Sequence, residues 1–348
     1  MKTKVLLVPS TNDDSRPQWH MLNEIKSYSF PSMCRLPFVE NPLDQKFHTQ
    51  RHCESFFHKT ELIVGWSDMV RPIIETVLKE IRDKGSNVTV FWMDGFTPAI
   101  FSVKSILDAM NVSRERVKHV CFFHGSPNIP EDSFMHAKYL QVLDFHIWSQ
   151  YDQIFIAREY LKKYLPDAPK KVCLDWLPLD RKLFNQTPLM PDDRDPVVVF
   201  PHRWCYTKAR YDFIRQCLEN KRRGLILTPV PIPKAQIWNG TKTQCDKIFK
   251  LVEIRLCTRE TYLASLARSK WIFNESEYET FGIATVEGMA LGCELLPLPD
   301  CKVKLVPEAV TLLHEERLDI ETAQVRQRKC LKLIGDSVRD LWGYHGHG

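Results

Sequence analysis

The strongest constraint on this chain is an alternation that stops once and then starts again. Short β-rich runs ("KVLLVP", "NVTVFWMDG", "VKHVCFFHGS", "QIFIA", "KVCLDWLP") alternate with segments of helical character. In "RPIIETVLKEIRDKG", Ile73, Ile74, Val77, Leu78 and Ile81 form one helical stripe, and Gly85 is placed to end it. "QYDQIFIAREYLKKYL" reads as a strand running into a helix. The β-rich runs are almost continuously apolar, which suits strands covered on both faces, so a parallel sheet between helices is expected. "NQTPLMPDDRDP" (185–196) breaks the pattern with three prolines, three aspartates and no apolar periodicity, and reads as a linker. The alternation resumes with "VVVFPHRW", a helix over about 207–222, "GLILTP", "LVEIRL", the helix "RETYLASLARS", "KWIFNES" and the helix "IATVEGMALG". A last helix is expected from about 320 to 342. The class is therefore α/β, with two doubly wound domains facing across a cleft, where ligands of such folds bind. Their expected bounds are 1–186 and 197–325, joined by a linker at 187–196. A helix within 326–348 would pack back on the first domain.

Composition narrows the setting. At 348 residues, with 44% hydrophobic and 26% charged residues, the chain is globular and long enough for two cores. No apolar run approaches the roughly 18 residues of a membrane span, and "MKTKVLLVPSTNDD" reads as a first strand rather than a signal peptide. Eleven scattered cysteines without a CxxC pair point to reduced thiols and a cytoplasmic setting. The formal net charge of +5 permits a polyanionic partner without demanding one.

The chemistry concentrates in "NESEYETFGIATVEGMALGC" (274–293), where Glu279 and Glu287 stand eight positions apart. A helix starting just after Gly282 would leave backbone N–H groups free for an oxyanion or sugar hydroxyls. Glu279 would flank that start, and Glu287 would lie about one and a half turns into the helix. Alone, the pattern also suits an ordinary strand–turn–helix with solvated acids.

The stretch "EYETFGIATVEGMALG" resembles the donor-site signature of retaining glycosyltransferases with the GT-B fold, of the family 4 type, built from two Rossmann-like domains. Gly288 departs from the family's alanine after the second glutamate. The resemblance implies that Glu279 contacts the sugar hydroxyls, that Glu287 holds the nucleotide ribose, and that Phe281, Gly282 and Ile283 touch the sugar. Thr285 is placed to meet a phosphate. "VVVFPHRWCYTKAR" supplies Arg203 and Lys208 at the family spacing after a strand, where both would grip the donor diphosphate and favour its departure. His124, at the end of "HVCFFHG", stands where the family has a histidine facing the sugar, although a histidine there is also a common polar cap. In "DWLPLDRKLFN", Asp180 and Phe184 match the family's closing first-domain segment. The family's glycine-rich loop is absent from "VPSTNDDSRP", where Ser10, Thr11 and Asn12 could substitute.

The implied activity is retaining, metal-independent transfer from a nucleotide sugar, most simply a UDP-sugar, with no bound cofactor. The combination of "PHRW" with its downstream lysine and the acidic motif also resembles phage enzymes that glycosylate hydroxymethylated pyrimidines in DNA, and queuosine-tRNA glycosyltransferases. A DNA base is the expected acceptor, and a phage protein would act in the host cytoplasm. The alternatives are tRNA, saccharide or lipid acceptors, or an inactive nucleic-acid-binding relative. Arg158, Lys162, Lys163, Lys170 and Lys171, with Lys221, Arg222 and Arg223, could track phosphates or be solvated faces. Trp92 and Phe96 could stack on a flipped base or fill the core. His48, His52, Cys53 and His58 crowd together but lack the acidic partner or second cysteine that would complete a metal site.

Overall fold

The computed structural model describes residues 2–8, 17–30, 34–35, 60–126, 128–129, 138–202, 204, 208–229, 231–275, 281–296 and 318–343. Contacts group the chain into two units, Met1–Leu179 with Gln327–Gly348, and Asp180–Arg326.

In the first unit, β1 (Thr3–Val8), β2 (Cys34–Arg35), β3 (Asn87–Trp92), β4 (Val117–Phe123), β5 (Gln153–Ile156) and β6 (Lys170–Cys173) form a parallel sheet. Their spatial order is β2-β1-β3-β4-β5-β6. Helices α1 (Pro17–Ser29), α2 (Thr60–Leu78), α3 (Ala99–Ala109) and α4 (Lys138–Trp148) connect them. The apolar runs are buried as expected: all six residues of β3 are buried. Phe91, Phe122 and Phe155, on three adjacent strands, pack with ring centroids 5.5–5.6 Å apart. Each such burial stabilises the fold by about 1.5–3 kcal/mol.

Gly85 ends the α2 segment at φ +62°, after a single π turn at Lys79–Asp83. The expected helix after β5 is instead a 3-10 segment, Glu159–Tyr164. Its C-cap Leu165 is extended (φ −118°, ψ 149°) because Pro166 disfavours helical geometry in the residue before it. The last helix, α10 (Ile320–Asp340), joins the first unit from Gln327 onward. There the Gln327 amide donates to Leu179 O and accepts from Leu179 N, both at 2.8 Å. Trp342 Nε1 donates to Thr89 Oγ1 at 2.9 Å.

In the second unit, β7 (Asp195–Phe200), β8 (Arg223–Thr228), β9 (Val252–Leu256), β10 (Ser269–Ile272) and β11 (Glu294–Leu295) form a parallel sheet ordered β11-β10-β7-β8-β9. The intervening helices are α5 (Arg210–Glu219), α6 (Lys234–Ile237), α7 (Lys242–Leu251), α8 (Arg259–Arg268) and α9 (Ile283–Ala290). Helix α5 is shorter than its apolar pattern suggests, because Ala209 (φ 53°) and Lys221 (φ 49°) turn left-handed at its two ends. Strand β7 already begins at Asp195, after a 3-10 turn at Pro191–Asp193. Buried Arg194 donates to the carbonyls of Leu189, Ser269 and Leu291, tying the start of this unit to β10 and the end of α9.

Candidate active site

The second sheet reverses its winding between β7 and β10. From β7 the chain moves outward through β8 and β9, then returns to place β10 and β11 on the other side. Such a topological switch point opens a crevice at the carboxyl ends of the two strands. Strands β7 and β10 pair in parallel, with Trp271 opposite Val198 and Ile272 opposite Val199. Their following segments, which carry the two sequence motifs, therefore leave the sheet side by side. His202 after β7 makes a 3.1 Å hydrogen bond to Phe273 O, which accepts, so Nε2 carries the proton. Phe200, Phe213 and Phe273 pack beneath, with centroids 5.2–6.0 Å apart.

Helix α9 opens on Gly282, a left-handed N-cap (φ 72°, ψ 49°) that few other residues adopt cheaply. The N–H groups of its first turn have no acceptor within the helix. Phe281 and Thr285 are buried at this start, and Ile283 is half-buried. The Thr285 hydroxyl accepts from Asn274 Nδ2 at 2.7 Å, bracing the helix against the end of β10, and keeps its own proton to donate. Gly288 has a structural explanation: a Cβ there would lie 2.3 Å from Ile272 Cδ1.

Glu287, only 2% exposed, is held bidentately by Arg259, with Nη1 donating to Oε2 at 3.0 Å and Nη2 donating to Oε1. Arg259 Nε also donates to Asp180 Oδ2 at 2.9 Å. Asp180 Oδ1 in turn accepts from Lys182 N at 3.0 Å. Burial alone would lower the Arg259 pKa, but Glu287 and Asp180 reverse that and hold it above its ordinary value. Burial, with Glu287 beside it, raises the Tyr262 phenol well above its usual range, so this ring stays neutral next to the cluster. Glu275, just after β10, has a buried Oε1 without a hydrogen-bond partner among the described residues. Burial first, and then Asp212, pushes its carboxyl up to about 7, against the opposing pull of Arg215.

In the first unit, His124 follows β4 and is half-buried. Its Nε2 lies 2.7 Å from Met93 O, so this nitrogen donates and Nδ1 is left as an acceptor. Burial lowers the His124 pKa against the attraction of Asp94, whose own carboxyl burial raises. The loop after His124 is anchored by buried Asp144 on α4, which accepts from Ser126 Oγ (2.7 Å), Asn128 Nδ2 (2.6 Å) and Trp148 Nε1 (2.7 Å).

Within the second unit, Lys208 lies between β7 and α5 and is half-buried, while Phe281, Gly282, Ile283, Thr285 and Glu287 gather on the start of α9. Arg203 and Glu279 lie outside the described residues, as do Ser10, Thr11, Asn12, His48, His52, Cys53 and His58. Trp92 and Phe96 are core residues: both are at most 3% exposed, and Trp92 Nε1 donates to His119 Nδ1 at 3.3 Å. Several cations of the basic stretches are engaged locally. Arg158 is buried and donates to Asp175 O, Lys162 pairs with Glu159, and Lys171 donates to Asp167 O. Arg222 lies over the Trp271 ring. Among the described residues no group of His, Cys, Asp and Glu is arranged to hold a metal ion, and no helix is long and apolar enough to cross a membrane.

Sequence reasoning did not single out Arg259. One signal was there: in "CTRE" the arginine follows a threonine N-cap, and a cation in a helix's first turn opposes the dipole unless acceptors surround it. Glu275 carried no comparable signal, since its environment is set by burial and then by Asp212 on a distant segment.

No family model and no curated protein matches the chain. Solved structures match nearly its whole length. A sucrose-phosphate synthase from Thermosynechococcus elongatus is 12% identical over 98% of this chain and 95% of its own, with a TM-score of 0.57. A glycosyltransferase from Rickettsia africae is 14% identical over 98% and 97%, with a TM-score of 0.54. The fold is GT-B. Os79 from O. sativa, solved in complex with UDP and deoxynivalenol-3-glucoside, is also similar, at 11% identity over 95% and 94% and a TM-score of 0.51. Identities of this size speak to the fold, and the chemistry has to be argued from the residues.

Proposed function

We infer that this chain is a retaining glycosyltransferase that moves a sugar from a nucleotide sugar to a hydroxyl acceptor. The observation that carries this reading is the switch point of the second unit, where β7, which leads on to Lys208, pairs in parallel with β10, which leads on to the left-handed Gly282 that opens α9. The N–H groups at the start of α9 favour negative charge. Arg203 and Lys208 would offset the charge that gathers on the diphosphate as the bond from the anomeric carbon to the phosphate oxygen breaks. The acceptor oxygen forms its bond to the same carbon on the same face, and its proton passes to the departing phosphate. No protein nucleophile is needed. Glu279 and His124 are assigned to the sugar. Phe281, Gly282 and Ile283 are assigned to the sugar's surroundings, Thr285 to a phosphate, and Glu287 to the ribose. With Nε2 donating to Met93 O, His124 offers Nδ1 as an acceptor for a sugar hydroxyl. A UDP-sugar is the favoured donor, in keeping with the UDP in the Os79 complex, and transfer proceeds without a metal.

For the acceptor, the motif resemblance supports a hydroxymethylated pyrimidine of DNA, with a tRNA base as the second reading. Intact-mass analysis of both polymers after incubation with pooled nucleotide sugars tests this choice. A hexose or pentose gain on DNA is expected, and no gain on either polymer rules out the nucleic-acid acceptor. Donor chemistry is tested separately, by nucleotide-sugar hydrolysis without acceptor. Lys208→Ala should lower turnover by about 100-fold, the size of effect seen when one preorganised charge contact is lost. Equal, vanishing rates in both proteins across common donors would refute the enzyme reading.

A further inference from the structure

The cluster of Asp180, Arg259 and Glu287 is more elaborate than a structural ion pair requires. Its three side chains are 4%, 11% and 3% exposed. One guanidinium serves both buried carboxylates, and a buried carboxylate such as Glu287 gains most when further donors complete its hydrogen bonding. Arginine has only donors, so both Glu287 oxygens are fixed as acceptors, and a carboxylate offers about four lone-pair sites, of which Arg259 takes two. The third N–H direction, Nε to Asp180, fixes the plane of the guanidinium and therefore the plane of the Glu287 carboxylate. The two oxygens left with free acceptor capacity are a fixed distance apart in a fixed plane, which is the complement of a vicinal diol.

We propose that Arg259, set by Asp180, is the positioning residue that holds Glu287 as a two-point acceptor for the 2′,3′-diol of a nucleoside diphosphate, making the site selective for ribose over 2′-deoxyribose. This rests on the donor-site reading above and adds to it a residue and a selectivity. The burial of Glu287 makes each hydroxyl contact count for more than it would in water. A site built to bond a hydroxyl rejects the analogue that lacks it, because the site's own polar group is then left unpaired.

Calorimetric titration of the full-length protein with UDP, GDP and ADP and their 2′-deoxy counterparts tests the proposal, with inorganic pyrophosphate as the control. Wild type should bind at least one ribonucleotide more than about tenfold tighter than its deoxy form. Arg259→Lys keeps the charge but cannot grip both oxygens. It should lose about tenfold in ribonucleotide affinity, bring the ribose preference below about threefold, and leave pyrophosphate binding unchanged. Asp180→Asn keeps the bidentate grip but weakens the arm that sets it, and should fall between the two. It carries the test if circular dichroism shows that Arg259→Lys does not fold. An unchanged ribose preference in the folded variants would make Arg259 merely structural. Equal binding of ribo and deoxy forms by wild type would overturn the selectivity while leaving the donor site standing. Failure of wild type to bind any of the nucleotides would overturn the donor-site reading itself.

Discussion

Each unit buries an acid near its candidate chemistry, and the two acids are satisfied in opposite ways. Asp144 in the first unit is surrounded by neutral donors from Ser126, Asn128 and Trp148. Glu287 in the second is gripped by a guanidinium that it shares with another acid. Neutral donors fix a loop and take three of the carboxylate's acceptor sites. A shared cation fixes a carboxylate and leaves it short of donors, which suits a surface that must still accept a ligand. The same contrast runs through the neighbouring groups: His119 and His124 in the first unit are held towards neutrality by burial, whereas the second unit gathers formal charge.

The contrast is broken most directly by removing the cation. Arg259→Leu leaves the buried Glu287 carboxylate without its cation and should cost about 3–5 kcal/mol in denaturant unfolding, against about 2–3 kcal/mol for Asp144→Ala, which strands neutral donors. Equal losses would dissolve the distinction.

The next effect sharpens the picture of a neutral first unit. Burial lowers the His119 pKa to about 3, with Lys104 and Lys118 adding to it. Between the unfolded value near 6.5 and the folded value, the unfolded chain binds a proton that the native chain does not, so stability falls as pH falls through that window. At pH 4.5 this amounts to roughly 2–3 kcal/mol. His119→Gln should remove that share of the slope, measured as the change in unfolding free energy between pH 7 and pH 4.5. An unaltered slope would place the acid sensitivity elsewhere.

The smallest expected effect concerns packing beneath the charged site. Gly288→Ala should cost about 1–2 kcal/mol by overpacking against Ile272 Cδ1. Ile272→Val removes that carbon, and thermal unfolding of the double variant should recover most of the loss. A harmless single substitution would show that α9 shifts freely on the sheet.

Much of the fold was legible because its signals are local. Alternating apolar runs marked β3, β4, β7 and β8, and Gly85 and Gly282 stand where the backbone turns left-handed. The π turn at Lys79–Asp83 and the 3-10 segment at Glu159–Tyr164 were not legible, since both look like continuations of helical patterns until the next glycine or proline acts. The candidate site divides the same way. The motif residues on α9 could be read from their spacing, but Arg259 reaches Asp180 across 79 positions and Glu287 across 28. No local pattern records such a partnership. Trp92 and Phe96 were ambiguous for a related reason: an aromatic residue at a strand end looks the same in sequence whether it faces a ligand or a core.

The amide of Gln327 closes on Leu179, one residue before the second unit begins. The chain thus leaves and re-enters its amino-terminal unit at a single stitched point, with 148 positions between the two strokes of the stitch. In the order of translation the second unit lies between the two parts of the first, so the first unit is closed only after the second has been made. A nonsense codon at Gln327 would remove none of the first sheet, yet it would delete the part of α10 that bonds to the first unit through Gln327 and Leu331.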